Sequence, residues 1–229
     1  MRDPSSLPRW TRHFVYRSER LRTTWRFRVG LVALLLISMW LTEDWWSVAI
    51  ERSLACEANG APSDAILIEN FANEYLLFER ATMLQRTGLA DRVIVPVKAD
   101  KNTLEPDPVA LGTAKLMAEI ARLEAMEIVP VLEVEPISLN AARDILRFVQ
   151  SQRIRSVTVV SPNLRSRRSA LVYEATLGRA GITILCDPVP TQRAWTLTWH
   201  GIQSVAEQWL KLQYYRLYVV PFASAPSST

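Results

Sequence analysis

The sequence predicts an α/β fold built on a five-stranded parallel sheet with helices on both faces, preceded by a single N-terminal transmembrane helix. Three observations predict this. Short apolar runs alternate with segments of helical periodicity over most of the chain. The apolar runs are nearly continuous, as expected for parallel strands that are covered on both sides. Near the N-terminus, an uncharged apolar run follows a cluster of arginines.

The expected strands and helices alternate after residue 63. The strands cover residues 65–68, 92–97, 128–134, 157–160 and 182–186. The helices cover residues 74–86, 108–125, 139–152 and 165–180, and a last amphipathic helix surrounds residues 202–210. Repeats of this kind form crossovers between parallel strands. Pro96 and Pro130 cannot donate to a strand ladder, so we expect each of them at a sheet edge or a strand end.

Composition divides the chain into five segments. They are a basic arm over residues 1–28, a transmembrane anchor over 29–46, a linker over 47–63, the α/β domain over 64–220 and a flexible tail over 221–229. The linker ends with Asn59-Gly60-Ala61-Pro62, residues that favour turns. The tail is small and polar, which is typical of a frayed terminus.

The proposed anchor is short but has aromatic flanks. Residues 29–41 carry no charge, and a helix of these 13 residues spans only about 20 Å against about 30 Å of bilayer core. Trp25 and Phe27 precede the run and Trp45 and Trp46 follow it, which suits the two membrane interfaces. Counted between the outer tryptophans, the segment is long enough to span. A cleaved signal peptide and a buried helix of a soluble protein are the alternatives.

The excess of positive over negative charge is confined to the arm. Residues 1–28 hold eight arginines against Asp3 and Glu19, which gives the arm a net charge of +6. The net charge of the whole chain is +4, so the rest of the chain has a net charge of −2. By the positive-inside rule the arm stays cytoplasmic. The domain then lies outside the inner (plasma) membrane, in the periplasm where there is an outer membrane. A domain without basic excess argues against a nucleic-acid partner.

Cysteines and histidines are few. Cys56 and Cys186 are too few for a disulfide framework and match no zinc spacing. In an oxidising compartment they could pair, and two separate buried thiols are the alternative. Two histidines, His13 and His200, argue against a histidine-rich metal site, and His200 is expected to be structural. No dinucleotide, phosphate-loop or nucleophile-elbow motif is present, so we expect no metal and no cofactor.

Ligands of open parallel sheets bind beyond the carboxyl ends of the strands. The polar residues expected there are Glu69 and Asn70 after the first strand, Glu135, Ser138 and Asn140 after the third, and Asn163, Arg165 and Arg168 after the fourth. Arginines beside the free N–H groups of a helix start suit a phosphate. The alternatives are a solvated basic face paired with acids such as Glu174, and an N-cap role for Ser138.

Residues 135–190 resemble the YdcF/SanA/ElyC-like family. Glu135-Pro-Ile-Ser138-Leu-Asn140-Ala141 looks like a shortened form of the family's Glu-x-x-Ser-x-Asn-Thr segment. Residues 157–170 are similar to its strand followed by a His-x-x-Arg-Ala turn, and residues 181–190 to its fifth strand and proline-rich exit. Residues 213–217 are similar to its C-terminal helix.

The resemblance implies a Rossmann-like domain, often behind a membrane helix, with a role in bacterial envelope biogenesis. The matched site positions are Glu135, Ser138, Asn140, Arg165 and Arg168, with Glu69 and Asn70 at an altered turn. The family's glycine-rich turn is Glu69-Asn70-Phe71 here, and its turn histidine is replaced at Asn163. A backbone without these glycines cannot approach a phosphate as closely, which predicts loss of the family's ancestral ligand. The departures therefore argue against catalysis carried over from the family.

Three functions follow as hypotheses. The first is a membrane-anchored protein of envelope or polysaccharide biogenesis that binds an anionic, phosphate-bearing precursor or partner, with weak or no catalysis. The second is an enzyme for a phosphorylated or nucleotide ligand, with Glu69 or Glu135 as acid or base and Arg165 as the clamp. The third is a structural subunit that contacts membrane-protein partners through the anchor and the aromatic C-terminal helix, which can also touch the membrane surface. No catalytic residue is identified.

Overall fold

The computed structural model describes residues 25–71, 74–100, 103–132, 134, 137–190 and 195–223. The chain divides into two compact units, with the boundary between Trp46 and Ser47. Most of the predicted basic arm and most of the predicted tail lie outside the described residues.

Two helices come first. Helix α1, Trp25–Leu41, has 17 residues and no buried side chain. Thr42 interrupts it and hydrogen-bonds the carbonyl of Ser38 through its hydroxyl (2.8 Å). Helix α2, Glu43–Leu54, then begins with two acidic residues, which suit a helix N-terminus. It occupies the first part of the linker expected over residues 47–63.

The break bears on the predicted transmembrane helix. Within the described part of the chain, no single helix has the length and apolar character needed to cross a bilayer. The bent pair α1 and α2 together meets that requirement by length and composition alone. A single uninterrupted span over residues 29–46 is therefore not what the structure has.

The predicted α/β class and parallel sheet are confirmed. The strands are β1 Ala65–Ile68, β2 Arg92–Lys98, β3 Glu127–Val131, β4 Ser156–Pro162 and β5 Thr183–Val189. They form one sheet in the order β3-β2-β1-β4-β5, and all neighbours are parallel. Every residue of β1, the central strand, is buried. Its side chains therefore contribute to the core on both faces of the sheet.

The helices of the domain alternate with these strands. They are α3 Tyr75–Arg86, α4 Pro108–Ala121, α5 Ile137–Ser151, α6 Asn163–Thr176 and α7 Trp199–Tyr214, followed by a π-helical turn, Tyr215–Val219, and by α8, Val220–Ala223. Side-chain caps explain where two of these helices, α4 and α7, begin. Asp107 accepts hydrogen bonds from the N–H groups of Val109 and Ala110, and the hydroxyl of Thr198 accepts one from Gly201.

Two apolar clusters cover the two faces of the sheet. Residues of α3 and α4 pack with Ile66, Ile68 and Val95 on one face. Residues of α5, α6 and the π-helical turn pack with Leu67 and Val159 on the other. The chain changes face at the crossover from β3 to β4. The strand order therefore reverses between β1 and β4, and this is the topological switch point.

The two strand prolines lie where they do not interrupt the ladder. Pro130 lies in β3, an edge strand. Pro96 lies in the interior strand β2, but the pairing of β2 with β1 ends at Ile94. The expectation of a sheet edge or strand end is confirmed for Pro130 and is wrong for Pro96, which lies opposite Val129 inside β2.

The cysteines form a disulfide. Cys56 and Cys186 are linked with their Cα atoms 6.4 Å apart and 130 residues apart in sequence. Two backbone contacts hold the same segment. The N–H of Asn59 donates to the carbonyl of Cys186 (3.0 Å), and the N–H of Cys56 donates to the hydroxyl of Ser166 (3.0 Å). Of the two alternatives that the sequence left open, the structure has the pair.

Candidate functional site

The switch point brings the ends of β1 and β4 side by side. The N–H of Glu69 donates to the carbonyl of Val160 (2.9 Å), which continues the ladder one residue past β1. Glu69 and Asn70 therefore lie beside Ser161 and Pro162. The first turn of α6 begins directly after Pro162. We call this place the β1–β4 crevice.

Helix α6 begins at the crevice without a side-chain cap. Its N-cap residue, Pro162, has extended backbone angles (φ −60°, ψ 139°) and forms no side-chain cap hydrogen bond. The first N–H groups of the helix thus keep their hydrogen-bonding capacity. They also carry the positive end of the helix dipole, which attracts anions.

Glu69 and Arg165 form a buried ion pair in the crevice. Glu69 is 2% exposed, and Ser169 donates a hydrogen bond from its hydroxyl to Oε2 of Glu69 (2.6 Å). Nε of Arg165 lies 3.7 Å from the same oxygen, while Nη2 donates to the backbone carbonyl of Glu69 (3.4 Å). A separation of 3.7 Å is too long for a hydrogen bond. The two side chains therefore attract each other by charge alone.

A second carboxylate approaches the same guanidinium. Oε1 of Glu74 lies 3.7 Å from Nη2 of Arg165. Partial burial raises the pKa of Glu74 above its ordinary value. The positive charge of Arg165 opposes this rise, and the negative charge of Glu69 adds to it. Arg165 therefore lies between two acids without a hydrogen bond to either side-chain carboxylate.

Tyr173 is a buried phenol that interacts electrostatically with Glu69 and Arg165. It is 2% exposed and belongs to the core beneath α6. Burial, reinforced by the charge of Glu69, raises the pKa of Tyr173 well above its ordinary value. The phenol consequently stays neutral at physiological pH.

Three polar atoms of the crevice have no hydrogen-bond partner among the described residues. They are Oδ1 of Asn70, Oγ of Ser161 and Nε of Arg165. Leaving such a buried group unpaired costs about 1 to 3 kcal/mol, and native structures have few such groups. Donors and an acceptor with unused capacity thus meet at the point where ligands of open sheets bind.

The three arginines of α6 point in different directions. Arg165 enters the crevice. Arg167 donates from Nη1 to the carbonyl of Ser53 (3.1 Å), and Arg168 lies over the ring of Tyr215, 5.6 Å from its centroid. Successive residues of a helix are rotated by about 100°, which explains the divergence. Arg168, predicted as a ligand residue, therefore packs against the C-terminal helix.

The remaining predicted residues are distributed unevenly. Asn163 is half-buried at the first position of α6, beside the crevice. Ser138 lies in the first turn of α5, which begins at Ile137. The amide of Asn140 donates to the carbonyl of Val134 (3.0 Å), so this side chain holds the loop before α5. Glu135 lies outside the described residues.

Sequence reasoning missed four residues of the cluster: Glu74, Ser161, Ser169 and Tyr173. A signal was present for two of them. Ser169 and Tyr173 follow Arg165 at intervals of four residues, which places all three on one face of α6. The contribution of Glu74 required the tertiary structure, because α3 starts on the opposite face of the sheet.

Within the described part of the chain, no group of three or more metal-ligating side chains is close enough to hold a metal ion. Comparisons with protein-family models, with curated proteins and with solved structures find no match for this chain.

The raised pKa of Glu74 predicts a pH-dependent effect on stability. A carboxyl group whose folded pKa is raised stabilises the fold most below its unfolded pKa. This contribution is lost as the pH rises through the folded value. Glu74→Gln is therefore expected to be more stable than the parent at pH 7 and equal to it below pH about 4. The gain should stay below about 1 kcal/mol because solvent screens a carboxyl this exposed.

Urea unfolding of both proteins at the two pH values measures this difference. Glu79→Gln, on the exposed face of the same helix, is the matched control for the loss of one carboxylate. A Glu74→Gln variant that is less stable than the parent at pH 7 would mean that the attraction to Arg165 outweighs the cost of burial.

Proposed function

We propose that this chain is a membrane-anchored protein of bacterial envelope or polysaccharide biogenesis that binds a phosphate-bearing precursor in the β1–β4 crevice. One observation carries the proposal: at the switch point of a parallel sheet, an uncapped helix N-terminus meets a guanidinium that forms no hydrogen bond with a described side chain. Anionic groups are the ligands that such a place attracts.

The polar atoms of the crevice favour a ligand with both a phosphate and hydroxyl groups. The N–H groups of α6 and Nε of Arg165 are donors and suit phosphate oxygens. Oδ1 of Asn70 is an acceptor and suits a hydroxyl. Glu69 and Glu74 place negative charge beside the site, which disfavours ligands with several phosphates. A sugar monophosphate has the matching combination.

Binding is favoured over catalysis. Among the described residues, the hydroxyl that contacts a carboxylate in the cluster is that of Ser169, which is 3% exposed and donates to Glu69. This hydroxyl holds a buried carboxylate in place, which is a structural role. The enzymatic alternative is supported by Glu74, whose raised pKa and partial exposure suit a general acid.

Three features support the membrane placement. Helix α1 is exposed along its whole length and is uncharged after Arg28, and the arm over residues 1–28 carries eight arginines, two of them in the first turn of α1. The disulfide between Cys56 and Cys186 is typical of proteins outside the reducing cytoplasm. We therefore place the arm in the cytoplasm and the domain on the outer side of the inner membrane.

Ligand binding is tested with the full chain in detergent by thermal shift, using a hexose 1-phosphate, the unphosphorylated hexose and inorganic phosphate. The hexose 1-phosphate should stabilise the protein more than either fragment. Arg165→Lys keeps the charge but loses the planar fork, and it should weaken binding by about 1.5 to 3 kcal/mol.

Arg168→Gln is the matched control, because this arginine lies against Tyr215 and should leave binding unchanged. The absence of a shift with any phosphate would reject the proposal. Equal losses in both variants would move the site away from the crevice. Turnover of the hexose 1-phosphate that is abolished by Glu74→Gln would establish the enzymatic alternative.

A further inference from the structure

A second site lies on the surface of the domain, away from the β1–β4 crevice. A groove of about 510 Å³ opens between the C-terminal end of α2, α6 and α7. Arg167 and Arg216 line it together with Leu171, Trp209 and Leu212. None of the described residues that line it is acidic, so the groove combines two positive charges with an apolar wall.

The two guanidinium groups retain donors for a ligand. Arg167 uses Nη1 for the carbonyl of Ser53 (3.1 Å) and is otherwise exposed. Arg216 is exposed and forms no ion pair with a described residue. The nearest acid along α7, Glu207, is already paired with Lys211. Glu57 and Glu174 line a neighbouring pocket together with Arg167 but do not line this groove.

Helix α7 continues the apolar wall over the surface. The inner stripe of α7 and of the π-helical turn that follows it is buried against the domain and comprises Val205, Leu212, Tyr215 and Val219. A second stripe of large apolar side chains is exposed, and it comprises Trp199, Ile202, Trp209, Leu210, Leu217 and Tyr218. Trp209, which is 48% exposed, belongs both to this stripe and to the groove. A helix with apolar residues on both sides and aromatic residues on its outer face is typical of membrane interfaces.

We infer that this groove and the outer face of α7 form a docking site for an anionic phospholipid. The lipid phosphate lies between Arg167 and Arg216, its acyl chains follow Leu171 and Trp209, and the aromatic stripe lies in the headgroup region. Charge complementarity selects an anionic lipid over a neutral one.

Chain length supports the same occupant. The inference rests on the membrane anchor of the proposed function. Ser53, which lines the groove, follows Leu41 at the end of α1 by 12 residues. A chain of this length reaches at most about 40 Å. If α1 is embedded in the bilayer, this connection tethers the chain at Ser53 to the membrane over at most that distance.

The test is amide hydrogen exchange of the full chain in nanodiscs of phosphatidylcholine alone and of phosphatidylcholine with phosphatidylglycerol. Peptides from α7 should exchange about tenfold more slowly when phosphatidylglycerol is present. Arg167→Gln/Arg216→Gln should lose this protection. The control Arg86→Gln/Lys115→Gln removes two cations from the helices on the opposite face of the sheet and should keep it. Because only the exchange of α7 peptides is measured, lipid binding by the arginines of the N-terminal arm does not contribute to the result.

Equal exchange in both nanodiscs, or protection that survives Arg167→Gln/Arg216→Gln, would overturn the inference. Protection by free glycerol phosphate in phosphatidylcholine nanodiscs would also overturn it, since the ligand would then be soluble. Protection that depends on protein concentration would assign the surface to a second copy of the chain. The anchor is tested separately by washing the nanodiscs at alkaline pH. Release of the chain under these conditions would show that α1 is not embedded in the bilayer.

Discussion

Reducing the disulfide between Cys56 and Cys186 is expected to lower the free energy of unfolding of the domain by about 3 to 5 kcal/mol. The bond closes a loop of 130 residues that includes four of the five strands and part of β5. Cross-linking a loop this long removes much of the conformational freedom of the unfolded chain. Its loss also frees the segment that Asn59 and Ser166 hold in place. Guanidinium unfolding with and without dithiothreitol measures the change.

Cys56→Ser/Cys186→Ser is the control, because dithiothreitol should not alter its stability. A parent protein whose unfolding midpoint is insensitive to dithiothreitol would contradict the prediction. The same bond reports the compartment in cells. Alkylation should find both cysteines blocked in the full chain and free in a variant that lacks residues 29–41. Free thiols in the full chain would place the domain in the cytoplasm.

Arg165→Met is expected to destabilise the domain by about 3 to 5 kcal/mol, because it leaves Glu69 buried without its countercharge. Glu69→Leu should cost less, because Arg165 keeps Glu74 as a countercharge (3.7 Å). The double variant should cost much less than the sum of the two, since it removes both buried charges and leaves apolar side chains. Urea unfolding of the four proteins gives this coupling energy.

The exposed pair of Arg92 and Glu127 is the control. Its Nε–Oε1 distance is 2.6 Å, against 3.7 Å for the buried pair, and both of its side chains are about one-third exposed. A surface pair is worth only about 0 to 1 kcal/mol. Breaking the pair of Arg165 and Glu69 should therefore lower the free energy of unfolding more than breaking the pair of Arg92 and Glu127, although its distance is longer. Equal effects for the two pairs would show that burial of the β1–β4 crevice does not set its energetics.

The local elements were largely predictable because their signals are local. The first strand, Ala65–Ile68, coincides with its prediction, and the other strands and helices lie within a few residues of theirs. Helix α2 was missed although Glu43 and Asp44 are a helix-start signal, because the turn residues after Leu54 favoured a linker over the whole segment. Helix α6 ends at Thr176, and a short turn replaces its predicted last residues.

The candidate site was predictable only in outline. Glu69, Asn70, Asn163 and Arg165 follow β1 and β4, and the rule for strand ends places them near a ligand. No local sequence signal predicted that β1 and β4 are neighbours in the sheet. The partnership of Arg165 with Glu69 and Glu74 follows from that strand order and from the rotation of α6, which also turns Arg168 toward Tyr215.

The sequence by itself determined the class of fold, the alternation of its elements and the separation of a basic arm from a near-neutral domain. These properties depend on apolar periodicity and charge over short windows, which each segment carries alone. Only the tertiary structure decided the strand order, the pairing of Cys56 with Cys186 and the arginine that enters the crevice. Each of these depends on residues about 100 or more positions apart, whose proximity results from packing of the whole core.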